Sequence, residues 1–258
     1  MDRVTRPTIV KLGGSAITDK KVAFSYRDRV VRALAEAIAD TRIPVVIVHG
    51  GGSFGHTEAK KHGLSSGKSS PSPEGVSETR QAMLTLDSKV CASLASEGLR
   101  PYAFSPFTLL DRGDGGRSFI ERLLAAGMTP VTFGDVVHDG EGFRILSGDT
   151  ICVELAKMLT APLCVFTLDT DGLLDEKGAV IKLLNEGAPK MSALRKGSKG
   201  ADATGGISLK VAESMRMASS GTEVRLVSGL RPAEFLKALR GVAFHGTTVE
   251  VPRGVSSG

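Results

Sequence analysis

Short apolar runs alternate with longer stretches of helical periodicity along most of the chain. PTIVKL (7–12), PVVIV (44–48), PYAF (101–104), TPVTF (129–133), LCVFTL (163–168) and TEVRLV (222–227) are brief and mostly β-branched or aromatic. Runs of this kind predict strands buried on both faces. Between them, Val30, Val31, Leu34 and Ile38 form one apolar stripe, and Met83, Leu84, Val90 and Leu94 suggest another. Ile151, Leu155 and Leu159, then Ile207, Val211 and Met215, repeat the helical spacing. Strands separated by helices imply right-handed crossovers, so the predicted fold class is α/β: a three-layer α/β/α sandwich with a largely parallel, open central sheet. VVHDGEGFRIL (136–146) and LLDEKGAVI (173–181) read instead as antiparallel β-hairpins, each with a glycine-containing turn.

Length and composition add few constraints. The 258 residues can bury a sizeable core, and α/β folds often reach this size as one unit. The net charge of +5 is compatible with anionic ligands, but the Lys and Arg residues are scattered. With two Tyr, ten Phe and no Trp, base-stacking platforms are poorly supplied and no nucleic-acid partner is expected. Cys91, Cys152 and Cys164 are far apart in apolar stretches, as buried free thiols of a reducing compartment would be. The opening MDRVTRPTIVKLGG carries charge where a secretory leader needs apolar residues. No run approaches a membrane span of about 18 apolar residues, so a soluble cytoplasmic protein with no membrane partner is expected.

In an open parallel sheet, ligands gather beyond the carboxyl ends of the strands. The loops there are rich in Gly, Asp and Lys: KLGGSAITDKK, HGGGSFGH and DTDGLL, joined by GADATGGISLK ahead of a helix. HGLSSGKSSPSPEG (62–75) reads as a mobile surface loop. Within it, HGLSSGKSS fails as a P-loop, because His62 stands where the first glycine is needed and no strand precedes it. Gly50, Gly52 and Gly55 do satisfy GxGxxG, but the acidic residue that follows, Glu74, lies in Ser/Pro-rich sequence rather than at a strand end.

A phosphoryl-transfer site without a P-loop remains. Backbone N–H groups of Gly13, Gly14, Gly50, Gly51 and Gly52 can approach phosphate oxygens where no Cβ intervenes. Lys11 at a strand end and Lys210 in the first turns of a helix can supply positive charge, with Asp149 at another helix start to orient both. Taken singly, Lys11 also reads as a solvent-facing strand end, Lys210 as a solvated helix lysine and Asp149 as an N-cap. Their combination carries the argument.

VKLGGSAITDK, VHGGGSFGH, FGDVV, SGDT, DTDGLL and DATGGISLK occur in the order found in the amino acid kinase superfamily, and the chain most resembles its isopentenyl phosphate kinase branch. The resemblance spans Lys11 to about Gly246. It implies ATP with Mg²⁺ as phosphoryl donor, without a dedicated protein metal cage, and an isoprenoid monophosphate as acceptor. Lys11 and Lys210 would flank the transferred group, Lys20 would contact phosphate oxygens on the donor side, and Asp149 would orient the lysines. His56 would hold the acceptor phosphate, with Gly51, Gly52, Gly55 and Gly134 beside it. The nucleotide side would comprise Gly13, Gly14, Ser15, Asp169, Asp171 and Gly172, with Asp202, Thr204, Gly205 and Gly206 capping the helix that faces the phosphates. The resemblance further implies an acceptor-binding lobe over 1–160, a nucleotide-binding lobe over 161–258, and a homodimer.

Thr170 stands where the family loop is often aliphatic, and Lys21 competes with Lys20, although the spacing from Lys11 favours Lys20. An apolar slot for the acceptor tail is expected around Val76 to Met83, with Phe104. His62 and His245 read as surface histidines, and His49 as a residue that orders the glycine loop. Two other readings stay open: a kinase for another small phosphate or phosphonate such as fosfomycin, and a non-catalytic nucleotide or oxyanion binder of the same fold.

Overall fold

A computed structural model describes residues 6–64, 71–111, 114–138, 140–185 and 206–250. The elements run β1 (Thr8–Leu12), α1 (Gly14–Ile17), α2 (Asp28–Ala39), β2 (Val45–His49), α3 (Gly52–Lys61), α4 (Pro73–Ser96) and β3 (Pro101–Ala103). After α5 (Phe107–Asp111) and α6 (Asp114–Ala125) come β4 (Thr129–Phe133), β5 (Asp135–His138), β6 (Phe143–Leu146) and α7 (Gly148–Leu159). The chain continues through β7 (Leu163–Leu168), β8 (Leu183–Leu184), α8 (Gly206–Ser219), β9 (Glu223–Ser228), α9 (Pro232–Arg240) and β10 (Gly246–Val249).

Eight strands form one sheet in the order β3-β4-β2-β1-β7-β9-β10-β8, parallel except for the β9/β10 pair. Both halves of the chain therefore share a single sheet. β1 pairs with β2 on one side and β7 on the other, so chain order reverses there and a crevice opens at the carboxyl ends of these two strands. Alternation along β1 divides the core. Ile9 joins Cys152, Leu155 and Phe166 in one apolar cluster; Val10 and Leu12 join Leu34, Leu86 and Phe235 in the other. Lys11 shares its face with Ile9, so its side chain is directed toward the α7 side.

All six predicted strands form, within one residue at most boundaries. β8 and β10 went unread, the first because it is two residues long, the second because GTTV lacks a strong apolar run. The 136–146 hairpin is the antiparallel β5/β6 pair. The 173–181 hairpin contracts to one bridge, Leu174 to Val180, closing a turn in which Asp175 N donates to Ala179 O at 2.9 Å. α4 starts well inside the predicted surface loop, at a Ser72 cap that accepts from Gly75 N at 3.1 Å, with Pro73 in the first turn. Residues 65–70 of that loop lie outside the described residues. Leu84 is 40 % exposed instead of buried, since it sits about 100° round the helix from Met83. Among the described residues no helix is long and apolar enough to cross a membrane. The three cysteines are free, Cys152 and Cys164 buried as expected and Cys91 only half-buried.

Candidate active site

Lys11, Asp149 and Lys210 meet at the carboxyl end of β1. Lys11 Nζ donates to Asp149 Oδ1, and Lys210 Nζ donates to Asp149 Oδ2 at 2.9 Å. Asp149 is not the cap of α7. Ser147 takes that role, accepting from Thr150 N at 3.1 Å, which leaves the Asp149 carboxylate in the first turn for the two lysines. Nor does Lys11 face solvent: it is only 4 % exposed. Phe166 lies beneath both ammonium groups, its ring centre 5.8 Å from Lys11 Nζ and 5.1 Å from Lys210 Nζ.

Electrostatics keep Lys11 and Asp149 charged. Burial penalises the Lys11 ammonium, but the attraction of Asp149 outweighs it and its pKa rises. Burial likewise opposes ionisation of Asp149, yet Lys11 and Lys210 together hold its carboxyl well below the usual carboxylate range. Gly148, unread in the sequence beyond its place in SGDT, is what lets Lys11 pass, because a Cβ there would stand 2.8 Å from Lys11 Cε. Glu213 is a second unread residue. It accepts from Thr150 Oγ1 at 3.0 Å and ties α7 to α8, the helix that carries Lys210.

Two of the glycine N–H groups expected to meet phosphate are turned to protein partners instead. Gly13 N donates to Thr167 Oγ1 at 3.0 Å and Gly50 N to Leu12 O at 2.9 Å, so these two N–H groups are committed within the protein and not to phosphate. A Cβ on Gly14 would lie 2.4 Å from Gly52 N, and one on Gly50 would lie 2.8 Å from Gly14 N. The two glycine loops thus pack backbone to backbone. Gly52, at φ +47°, is absent from the cavity wall. His49 is fully buried, stacks on Phe133 and places Nδ1 3.2 Å from Gly50 O, in keeping with its expected role in ordering the loop.

A cavity of about 610 Å³ opens beside these loops. Lys11, Asp149 and Lys210 line it, as do Lys20, Gly51, Gly55, His56 and Gly134. Gly13, Gly14, Ser15, Asp169, Gly172 and Gly206 also reach it, with Ser15 Oγ donating to Asp169 Oδ1 at 3.0 Å. Asp171 does not: its carboxylate pairs with Arg231 Nε at 3.0 Å and lies 3.7 Å from His245 Nε2. Asp202, Thr204 and Gly205 lie outside the described residues. Ala59, Met83, Val136, Ile145 and Leu146 give the cavity an apolar part between α3, α4 and the β5/β6 hairpin. Met83 was anticipated there, whereas Val76 and Phe104 are not on the wall, and Phe104 belongs to the core. His245 is exposed as expected, but His62 is mostly buried, with Nε2 2.9 Å from Glu78 Oε2.

Asp135, also on the wall, is a third unread residue. Its side chain is fully buried and pairs with Arg80 from α4. Burial outweighs the attraction of this part-exposed arginine, and its pKa is pushed up from 3.8 to about 6. A raised carboxyl pKa favours the folded state below pH 3.8, an advantage lost as pH rises through about 6. Asp135→Asn, which does not titrate, should therefore gain stability relative to the parent between those pH values, by at most about 3 kcal/mol. Denaturant midpoints from pH 4 to 8 check this; a difference independent of pH would contradict it.

The amino acid kinase family model matches residues 6–228. The chain belongs to the amino acid kinase family. Within the family it is similar to the isopentenyl phosphate kinase of Thermoplasma acidophilum, 33 % identical over 93 % of this chain and 99 % of the relative. The isopentenyl phosphate kinase of Haloferax volcanii is 36 % identical over 79 % of this chain and 85 % of its own. A crystal structure of the T. acidophilum isopentenyl phosphate kinase in a product complex superposes with a TM-score of 0.77 at 29 % identity, covering 95 % of this chain and all of the other. The amino acid kinase fold expected from the motifs is thus the fold observed.

Proposed function

We propose that the protein transfers the γ-phosphoryl group of ATP to isopentenyl phosphate, giving ADP and isopentenyl diphosphate by direct in-line displacement. The observation that carries this is one carboxylate, Asp149, shared by two lysines on the wall of a cavity that also holds an imidazole and an apolar recess. The acceptor phosphate oxygen attacks the γ-phosphorus as its bond to the ADP oxygen breaks, and no covalent enzyme intermediate forms. Charge spread over the transferred oxygens calls for fixed positive groups on both sides, which Lys11 and Lys210 supply with Asp149 holding them in place. Lys20 meets phosphate oxygens on the donor side, and His56 binds and aims the acceptor phosphate.

Mg²⁺ would accompany ATP, held chiefly by phosphates and water, and would help neutralise the phosphate charge. Asp149 is no cage for it, since both its oxygens are spent on lysines. The half over 1–160, which carries His56 and Met83, binds the acceptor; the half over 161–258, with Asp169 and Gly172, binds the nucleotide. The working unit is a homodimer, as the family resemblance implies, and its free thiols suit a cytoplasmic location.

The apolar recess of Ala59, Met83, Val136, Ile145 and Leu146 favours an isoprenoid acceptor over a compact phosphonate such as fosfomycin. A coupled ADP-release assay with isopentenyl phosphate, dimethylallyl phosphate, fosfomycin and methyl phosphate tests the choice. Rapid turnover confined to the two isoprenoid phosphates is expected, while preference for fosfomycin would overturn it. His56→Asn should lower kcat/KM for the acceptor by about 10²-fold while calorimetric ATP affinity stays within a few-fold. Equal loss of ATP affinity would move His56 off the acceptor side.

A further inference from the structure

Lys20 sits on an exposed stretch between α1 and α2, so something other than burial must hold it at the cavity wall. The anchors on either side of it converge on one residue. Two positions before Lys20, Thr18 Oγ1 accepts from Ser53 N at 2.9 Å and donates to Gly14 O at 2.7 Å. Four and five positions after it, Phe24 N donates to Ser53 O at 3.2 Å and Ser25 O accepts from Ser53 Oγ at 3.1 Å. Ser25 Oγ closes the stretch on itself, accepting from Asp19 N at 2.7 Å.

Ser53 is 4 % exposed and lies in the first turn of α3, three residues before His56. Its N–H, its hydroxyl and its carbonyl are all engaged by the Lys20 stretch. Phe24 adds a strained grip: its backbone is left-handed at φ +55°, and its half-exposed ring meets the buried Phe54 ring edge-on, centroids 5.4 Å apart. A non-glycine residue held in that region needs surrounding contacts to keep it there.

We propose that Ser53 is a positioning residue, the hub of a clasp with Thr18, Phe24 and Ser25 that sets Lys20 in register with His56. The inference rests on the proposed roles of those two residues in phosphoryl transfer. It gives a purpose to the Ser-Phe pair inside GGGSFGH, which neither phosphate binding nor imidazole chemistry requires. In-line transfer makes such a device consequential, because a displacement of about 1 Å in a positioning group can cost on the order of 10²-fold in rate.

A double-mutant cycle on kcat tests the clasp. Ser53→Ala should lower kcat by about 10-fold with acceptor and ATP KM values nearly unchanged, and Lys20→Ala should lower it by about 10²-fold. In the Lys20→Ala background, Ser53→Ala should then add less than about 2-fold, because the group it positions is gone. Phe24→Gly is the second variant. Glycine accepts the left-handed backbone, so the fold is kept while the ring contact is lost, and the same non-additive loss is expected. Equal factors in both backgrounds, or a folded Ser53→Ala or Phe24→Gly enzyme with unchanged kcat, would overturn the clasp. Unchanged kcat in Lys20→Ala alone would remove the role of Lys20 and the clasp with it. Parent turnover of isopentenyl phosphate is the separate control on the functional reading.

Discussion

Lys210→Ala is expected to lower kcat by about 10³-fold while leaving the protein folded and both substrate KM values within a few-fold. Asp149 keeps Lys11 as its partner, so no buried charge is stranded when Lys210 is removed. What disappears is a positive group 2.9 Å from Asp149 on the cavity wall, whose proposed work lies in the transition state, when charge spreads over the transferred oxygens. Loss confined to kcat is the mark of such a group. Steady-state kinetics beside a thermal melt decides the matter: a folded variant within tenfold of the parent kcat would show that Lys210 merely pairs with Asp149.

Asp149→Asn should cost stability as well as activity, because it strands two ammonium groups at once. Lys11 is buried and would face a neutral amide and Lys210, so a stability loss of about 3–5 kcal/mol is expected together with at least a 10²-fold fall in kcat. The effect has a pH signature. The carboxyl of Asp149 is lowered from 3.8 by its lysines, so its contribution is fully present above pH 3.8 and disappears as pH falls through the lower folded value. The stability gap between parent and variant should be constant near neutrality and close only in strong acid. Without Asp149, burial is left to dominate Lys11, and its pKa should fall below the ordinary 10.5. The variant should therefore acquire a falling basic limb in its pH–rate profile below the parent's. Denaturant titrations and pH–rate profiles of both proteins measure these outcomes, and superimposable profiles would contradict the shared-carboxylate arrangement.

The strands and the layer order were legible because buried parallel strands read as near-continuous apolar runs, and the helices between them show their own period. Lys11, Asp149 and Lys210 could be named from their positions at a strand end and two helix starts, although they lie up to 199 positions apart in the sequence. Their mutual distances could not, since these depend on how α7 and α8 pack. The glycine loops mark the limit most clearly. HGGGSFGH and KLGGS suggest backbone bared for a ligand, but much of that bareness serves contacts inside the protein, with Gly14 against Gly52 of the other loop and Gly13 against Thr167 of β7. A glycine pattern says that something approaches closely without saying what. Asp135 and Arg80 went unread because FGDVV gives no sign that its carboxylate turns inward to meet α4. Asp171 stands off the cavity wall for the converse reason: nothing in DTDGLL reveals that Arg231 pairs with it.

The group leaving ATP should arrive on the phosphate of an isoprenoid monophosphate. ³¹P NMR of the protein with ATP, Mg²⁺ and isopentenyl phosphate follows that transfer atom by atom. The expected result is loss of the monophosphate singlet and growth of two coupled diphosphate resonances, in equal amount to the ADP formed. ADP appearing with inorganic phosphate while the isopentenyl phosphate singlet stays intact would contradict it.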